Sequence, residues 1–226
     1  MNISNKEFHM ATVLKDRQTI LFIGDSITDC GRRDDSARPY GRGYVSIFRD
    51  LMLVREPQKN VNIINRGIGG ETVVGLRNRW NNDVISHHPD WLSVKIGIND
   101  LHRHIEENDN GLLSPDGFFK IYDQLLSSTA KKLPECKIIL IDPFYISRAD
   151  ETGDSFRTKV MKILPEYISS VTALSKKYRT LHVQTHESFR KLVKYQHPDS
   201  YCNEPVHPFT AGHLMIAEEV YKALCK

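Results

Sequence analysis

Cysteine is scarce in this chain of 226 residues: Cys30, Cys136, Cys202 and Cys225 stand far apart and form no Cys-x-x-Cys pair. That excludes a disulfide-stapled miniprotein and favours reduced thiols in a cytoplasmic protein. Neither sign of charge dominates. Lys+Arg 31 against Asp+Glu 28 leaves +3, with both signs interspersed, which is no footprint of a nucleic-acid partner. No run approaches the ~18 apolar residues that would span a bilayer, and Met1 to Leu14 lack the basic stretch and apolar core of a signal peptide. Internal repeats, low-complexity tracts and linkers are absent as well. The chain therefore reads as a cytoplasmic protein without a nucleic-acid or membrane partner.

What is present suits a folded enzyme-sized unit. Hydrophobic residues make up 40% and charged residues 26%, enough apolar mass for one core. The length predicts a single domain over 1–226, with 1–17 as an N-terminal extension. Short β-branched runs, Thr19–Ile23, Val61–Ile64, Trp91–Ile96, Lys137–Ile141 and Leu181–Val183, are bounded by Gly, Asp, Asn or Pro and read as buried strands. Between them apolar residues recur at helical spacing. Val73, Leu76, Trp80 and Val84 make one stripe, and Phe118, Ile121, Tyr122, Leu125 and Leu126 make another behind a Ser114-Pro115 start. A third stripe from Val160 to Tyr178 contains Pro165, which predicts a helix that starts near Leu164 or kinks there. A last helix follows Thr210, taken as its N-cap. Gly31 to Arg42 and Leu101 to Leu113 are polar and read as loops.

Strand alternating with helix predicts an α/β fold, a five-stranded parallel sheet with helices on both faces in three α/β/α layers. In such a sheet ligands gather beyond the carboxyl ends of the strands. Gly24-Asp25-Ser26 follows the first strand, where a sharp turn would expose Ser26 as a nucleophile if a base takes its proton. A lone Gly-Asp-Ser is more often a turn or a helix cap. Asn65-x-Gly67-Ile68-Gly69-Gly70 follows the second strand, and its bare glycines can aim a backbone N–H at an oxyanion; the spacing is not that of a dinucleotide loop. Gly97-Ile98-Asn99-Asp100 follows the third and offers a side-chain amide. Near the C-terminus, Glu204 stands three residues before His207 in a loop stiffened by Pro205 and Pro208, a spacing that lets the carboxylate hold the imidazole. Together they supply a nucleophile, a base, an orienting acid and oxyanion donors.

With these four blocks in order, the chain resembles the SGNH (GDSL) hydrolase superfamily from Ile20 to about Ala223. Leu21 to Arg32, Gly43-Tyr44-Val45 and Pro143-Phe144-Tyr145-Ile146 resemble intracellular carbohydrate acetylesterases of the acetylxylan esterase type. The resemblance implies a flavodoxin-like three-layer fold and a serine esterase that hydrolyses short-chain, foremost acetyl, esters of carbohydrates without metal or organic cofactor. It implies Ser26 as nucleophile, His207 as base and the Ser26 N–H, Gly70 and Asn99 as oxyanion hole. Asp25, Tyr145 and Val206 become candidate substrate contacts, and the expected partner is a small-molecule ester, an acetylated saccharide. One departure stands out. The family places Asp three residues before the His, where this chain has Glu204; Asp199 is the other carboxylate within reach. A lysophospholipase or thioesterase of the same superfamily, or a non-catalytic carbohydrate-binding relative, is the alternative.

Other features stay open. His102-x-His104 would suit a metal only on a strand, and falls in an expected loop. His87-His88 reads as a helix end. Arg32, Arg33, Arg38 and Arg42 form a basic cluster, either a solvated surface, a contact for an anionic or sugar-bearing substrate, or a contact between copies in a homo-oligomer. Lys95, inside an apolar strand, fits no role on sequence grounds.

Overall fold

A computed structural model describes residues 11–106, 111–147 and 155–225. Five strands, β1 (Thr19–Gly24), β2 (Asn62–Gly67), β3 (Trp91–Lys95), β4 (Lys137–Ile141) and β5 (Leu181–Val183), form one parallel sheet in the order β2-β1-β3-β4-β5. β3 is buried at every residue and β1 and β4 at all but one, which is why their sequences are apolar without alternation.

The helices are α1 (Ser26–Asp29), α2 (Tyr44–Arg55), α3 (Val73–Asp83), α4 (Ile98–Glu106), α5 (Pro115–Lys132), α6 (Phe156–Tyr178), α7 (Thr185–Leu192) and α8 (Thr210–Leu224). The chain moves from β1 outward to β2, then back across β1 to β3 and on to β4 and β5. Right-handed crossovers therefore send α2 to one face and α3, α5 and α6 to the other. The contacts agree: α8 packs on α2 and α7, while α5 packs on α3 and α6, and α4 on α6. Phe22 meets Tyr44 and Phe48 edge-on at 5.8 and 5.3 Å on the first face. On the second, Phe118 meets Tyr122 and Tyr167 at 5.5 and 5.1 Å, and the Trp80 indole donates to Thr129 Oγ1 at 3.0 Å.

The residues ahead of β1 are tied down. Val13 N–H donates to Leu224 O, Thr12 pairs with Cys225, and Glu56 takes bonds from Thr12 N–H and the Tyr221 hydroxyl. Among the described residues no helix is long and apolar enough to cross a membrane.

The structure corrects four local expectations. β2 continues through Asn65 and Arg66 to Gly67, because an edge strand paired only to β1 tolerates polar residues. Leu101 to Glu106 is helix α4 rather than loop: Ile98, Leu101 and Ile105 keep helical spacing inside a polar stretch, and Ile98 and Leu101 are fully buried. Residues 107–110 of that expected loop lie outside the described residues. α6 starts at Phe156 and runs through Pro165. Pro165 is exposed, so water can serve the carbonyl it leaves unpaired, while Val160, Leu164, Tyr167, Val171 and Leu174 are buried; their burial outweighs a proline cost of ~3 kcal/mol. Finally, Phe209 rather than Thr210 is the N-cap of α8, with no side-chain cap bond. Ser114 does cap α5, its Oγ accepting from Gly117 N–H at 3.2 Å with Pro115 in the first turn.

Candidate active site

The strand order reverses between β1 and β3, and in a doubly wound sheet the crevice opens there, outside the carboxyl ends. Ser26 follows β1, Asn99 follows β3, and the glycine loop follows β2 alongside. Asp25 is the N-cap of α1, its Oδ1 accepting from Ile27 N–H at 3.0 Å. Ser26 thus occupies the first helical position, where a backbone N–H has no carbonyl partner within the helix.

His207 arrives from a chain segment 181 residues away, with Nε2 2.8 Å from Ser26 Oγ. Its loop is closed at the base by the Cys202–Pro208 bridge and by Phe209 N–H donating to Tyr201 O. Ile146 N–H donates to Pro205 O at 2.8 Å and ties the loop to the segment after β4. Inside it, Glu204 curls back on its own backbone. Oε2 accepts from Val206 N–H at 2.9 Å, and Oε1 accepts from His207 N–H at 2.7 Å and lies 2.5 Å from His207 Nδ1. Burial pushes the Glu204 carboxyl up, but the two backbone N–H groups and the neighbouring imidazole outweigh it and hold it below its ordinary value. Asp199, the other carboxylate considered, contacts His197 instead and is 82% exposed.

The glycine loop is clamped from several sides. Asn65 on β2 donates to Thr28 O and Tyr40 O at 2.7 and 2.8 Å and accepts from Gly67 N–H at 2.9 Å. A side chain at Gly67 would lie 2.1 Å from Asp29 N, so only glycine lets α1 sit against the end of β2. Gly69 N–H donates to Asp29 Oδ2, and Gly70, at φ +72, has its carbonyl held by Arg103 at 3.1 Å. Asn99 Nδ2 donates one hydrogen to Glu71 O at 3.0 Å, which fixes the amide and leaves its second hydrogen for another acceptor.

Some of these positioning residues gave no sequence signal. Arg79, on α3, donates to Glu71, Asp83, Arg66 O and Gly24 O, and so binds the ends of β1 and β2 to the loop. Asp100 is fully buried with Oδ1 accepting from Val73 N–H, and burial pushes its carboxyl up to about 7. The arginine cluster is largely neutralised: Arg32 and Arg33 pair with Asp29, Arg38 with Asp35 and Arg42 with Asp34.

Two further expectations change. Asp25 is fully buried, with one oxygen on Ile27 N–H and the other on Lys95, so it faces the protein and not a substrate. His102 and His104 lie on α4, where residues two apart point in divergent directions. The His102 ring packs edge-on against Tyr145 and Phe156, at 6.0 and 5.0 Å. Tyr145 and Val206 are 5% and 7% exposed, which limits what either can offer a ligand. A cavity of about 160 Å³ opens beside Glu204, with Ser147, Arg157, His197, Asp199 and Asn203 in its wall.

His213, packed between Cys30 and the start of α2, makes a pH prediction. Tyr44 N–H donates to its Nδ1 at 3.2 Å, so the ring proton sits on Nε2, which faces Cys30 Sγ. Burial, then the charges of Lys95 and His207, push its pKa down to about 4. Unfolded histidine takes its proton near 6.5, so between 6.5 and 4 the unfolded chain binds more protons and native stability falls as pH falls. That window is worth about 3 kcal/mol at one buried site. His186, also pushed down to about 4, acts in the same direction, whereas Asp100 acts in the opposite one. His213→Gln is therefore expected to lose stability less steeply than the natural protein between pH 6.5 and 4.5, read by urea unfolding at each pH. Parallel curves would contradict the assignment.

Comparison with known proteins extends these observations. Residues 22–215 match the model of the GDSL-like lipase/acylhydrolase family. The chain is 34% identical over 206 residues to an acetylxylan esterase of Geobacillus stearothermophilus, covering 88% of this chain and 90% of that one. The crystal structure of an acetylxylan esterase from the same organism superposes with a TM-score of 0.81 at 32% identity, over 93% of this chain and 95% of the other. A candidate GDSL-like lipase from Parabacteroides merdae gives a TM-score of 0.85 at 32% identity, over 95% and 98%.

Proposed function

Because the chain belongs to the GDSL-like lipase/acylhydrolase family and is a carboxylic ester hydrolase, we propose that it removes acetyl groups from carbohydrate esters through an acyl-enzyme on Ser26. The observation that carries this reading is the chain of contacts from Ser26 Oγ to His207 Nε2 at 2.8 Å and from His207 Nδ1 to Glu204 Oε1 at 2.5 Å. It is the geometry that acyl transfer by serine requires.

As Ser26 Oγ attacks the ester carbonyl carbon, its proton passes to His207 Nε2. The carbonyl oxygen becomes an oxyanion, held by the N–H groups of Ser26 and Gly70 and by the second Asn99 Nδ2 hydrogen. Each such donor is worth about 10²–10³ in rate. Collapse breaks the bond to the leaving oxygen, which takes the proton from His207 and departs as the sugar hydroxyl. Water then gives a proton to His207 and attacks the acyl carbon; acetate leaves, and the proton returns to Ser26 Oγ. Glu204 keeps the imidazole proton on Nδ1 throughout, so Nε2 is free to accept.

Support for a small acyl group on a polar alcohol comes from two sides. The cavity beside Glu204, which adjoins the orienting carboxylate rather than Ser26, sets Ser147, Arg157, Asp199 and Asn203 among Ile146, Pro198 and Pro205, a mixed wall with hydrogen-bonding groups for the hydroxyls of a sugar alcohol. The relatives named acetylxylan esterase point the same way. Catalytic mutants of that esterase replace a serine, an aspartate and a histidine, the aspartate three residues before the histidine, the spacing that Glu204 and His207 keep here. Among the described residues the four cysteines form no disulfide, which favours a reducing compartment such as the cytoplasm.

A release assay over acetylated xylo-oligosaccharides, other acetylated sugars and lysolipids, with p-nitrophenyl acetate to octanoate beside it, tests the proposal. The expected result is acetate release from the saccharides and a kcat/KM at least tenfold higher for acetate than for octanoate. Preference for octanoate or a lysolipid would overturn it in favour of a lysophospholipase or thioesterase.

A further inference from the structure

Lys95 ends β3 with no exposed surface, and no step above uses it. Its Nζ lies 3.2 Å from Asp25 Oδ2, both side chains being fully buried, and 4.8 Å from the centre of the Phe144 ring. The other carboxylate oxygen, Oδ1, caps α1 at Ile27 N–H. Asp25 is therefore held at both oxygens, once by a charge from β3 and once by the backbone beside the nucleophile. The sheet register makes this unavoidable: Lys95 pairs with Gly24, the residue before Asp25.

Stability alone is a poor reason for such a pair, since a buried ion pair seldom outperforms apolar side chains of the same size. Burial drives the Lys95 ammonium toward its neutral form, and the charge and hydrogen bond of Asp25 oppose that shift. The partner of the pair is what matters. α1 has four residues and little of its own to fix its position, so its cap sets where the Ser26 N–H and Oγ point.

We propose that Lys95 is a positioning residue of the esterase: by pinning the Asp25 carboxylate it holds the cap that aims the Ser26 N–H and Oγ. The inference rests on acyl transfer at Ser26. It predicts an effect on the chemical step and not on substrate binding. Lys95→Met leaves Asp25 as a buried, unpaired carboxylate that reorganises or takes a proton, and the turn at Ser26 moves with it. A misplacement of about 1 Å can cost ~10² in rate.

The expected result for Lys95→Met is a kcat on p-nitrophenyl acetate lower by about 10–100-fold with KM within about twofold. The double variant Asp25→Asn/Lys95→Met keeps a carbonyl oxygen for Ile27 N–H and leaves no charge unpaired. It is expected to fold whether or not Lys95→Met does, and to restore kcat to within about fivefold of the natural protein. Amide hydrogen exchange at Ile27, whose N–H is bonded to Asp25 Oδ1, should be faster in Lys95→Met and slow again in the double variant, a readout independent of any ester. A natural protein that fails to turn over esters while the Ile27 amide responds as expected would fail the acyl-transfer reading and leave the cap intact. A folded Lys95→Met with unchanged kcat, or a folded double variant slower than the natural protein by ~100-fold or more, would overturn the role given to Lys95.

Discussion

Ser26→Ala is expected to fold normally and to lose about 10⁴–10⁶ of the kcat on p-nitrophenyl acetate, leaving only what the oxyanion donors and binding supply. The change removes one oxygen from a half-buried side chain whose described bond is to His207, so melting temperature should move little. The backbone N–H of residue 26, the Gly70 N–H and the Asn99 amide all survive the substitution. For that reason residual turnover above the solvent rate is part of the expectation. The companion measurement is covalent labelling: a fluorophosphonate should modify the natural protein once, at Ser26, and Ser26→Ala not at all. Substantial activity in the alanine variant, or labelling elsewhere, would move the nucleophile to another residue.

The parts of the fold legible in the sequence are those decided by local pattern. β1, β3 and β4 are apolar without alternation because both faces are covered, and their runs stand out at once. Ser114-Pro115 carries its own helix-start chemistry. What escaped was decided by tertiary context. α4 keeps its apolar spacing with few apolar residues, and its polar face makes the segment look like a loop. β2 carries the polar Asn65 and Arg66 on to Gly67 because it lies at the edge, which no local pattern reveals. The helix through Pro165 persists because a buried face on α5 and α4 outweighs the lost bond.

Site residues divide along the same line. Ser26, Gly70, Asn99, Glu204 and His207 sit in short motifs at strand or helix ends, so residue type and order suggested them without a view of the pocket. The residues that hold them in place could not be found this way. Arg79 reaches Gly24 O across 55 residues of sequence, and Lys95 reaches Asp25 across 70. The Lys95 contact exists because the parallel register sets the ends of β1 and β3 side by side, and the Arg79 contact because α3 runs against the end of β1. Asp25 shows the cost of reading type without place: beside a nucleophile it looks like a substrate contact, yet it points into the protein.

Glu204 invites the sharper experiment, since the relatives' pattern has aspartate at this position. The added methylene is absorbed because the side chain folds back over its own loop, taking Val206 N–H on one oxygen and both His207 N–H and Nδ1 on the other. Glu204→Gln cannot reproduce this. If the amide oxygen faces His207, the NH₂ group meets Val206 N–H donor to donor; if the amide turns, NH₂ meets Nδ1 and drives the ring proton to Nε2. Nε2 then carries the hydrogen that should come from Ser26. A wrong tautomer of this kind costs about 10⁴ in kcat in a serine triad, and the half-exposed setting here (58% for His207, 49% for Glu204) lets water recover part, so a loss of about 10²–10⁴ is expected with KM little changed. Glu204→Asp keeps the charge but falls short by roughly one C–C bond of 1.5 Å, so it must surrender either the Val206 bond or the imidazole. Its expected loss is about 10–100-fold, partly recovered only if the loop shortens with it. Ranking natural protein above Glu204→Asp above Glu204→Gln in kcat supports glutamate as the orienting acid. A Glu204→Gln variant within threefold of the natural protein would remove Glu204 from that role.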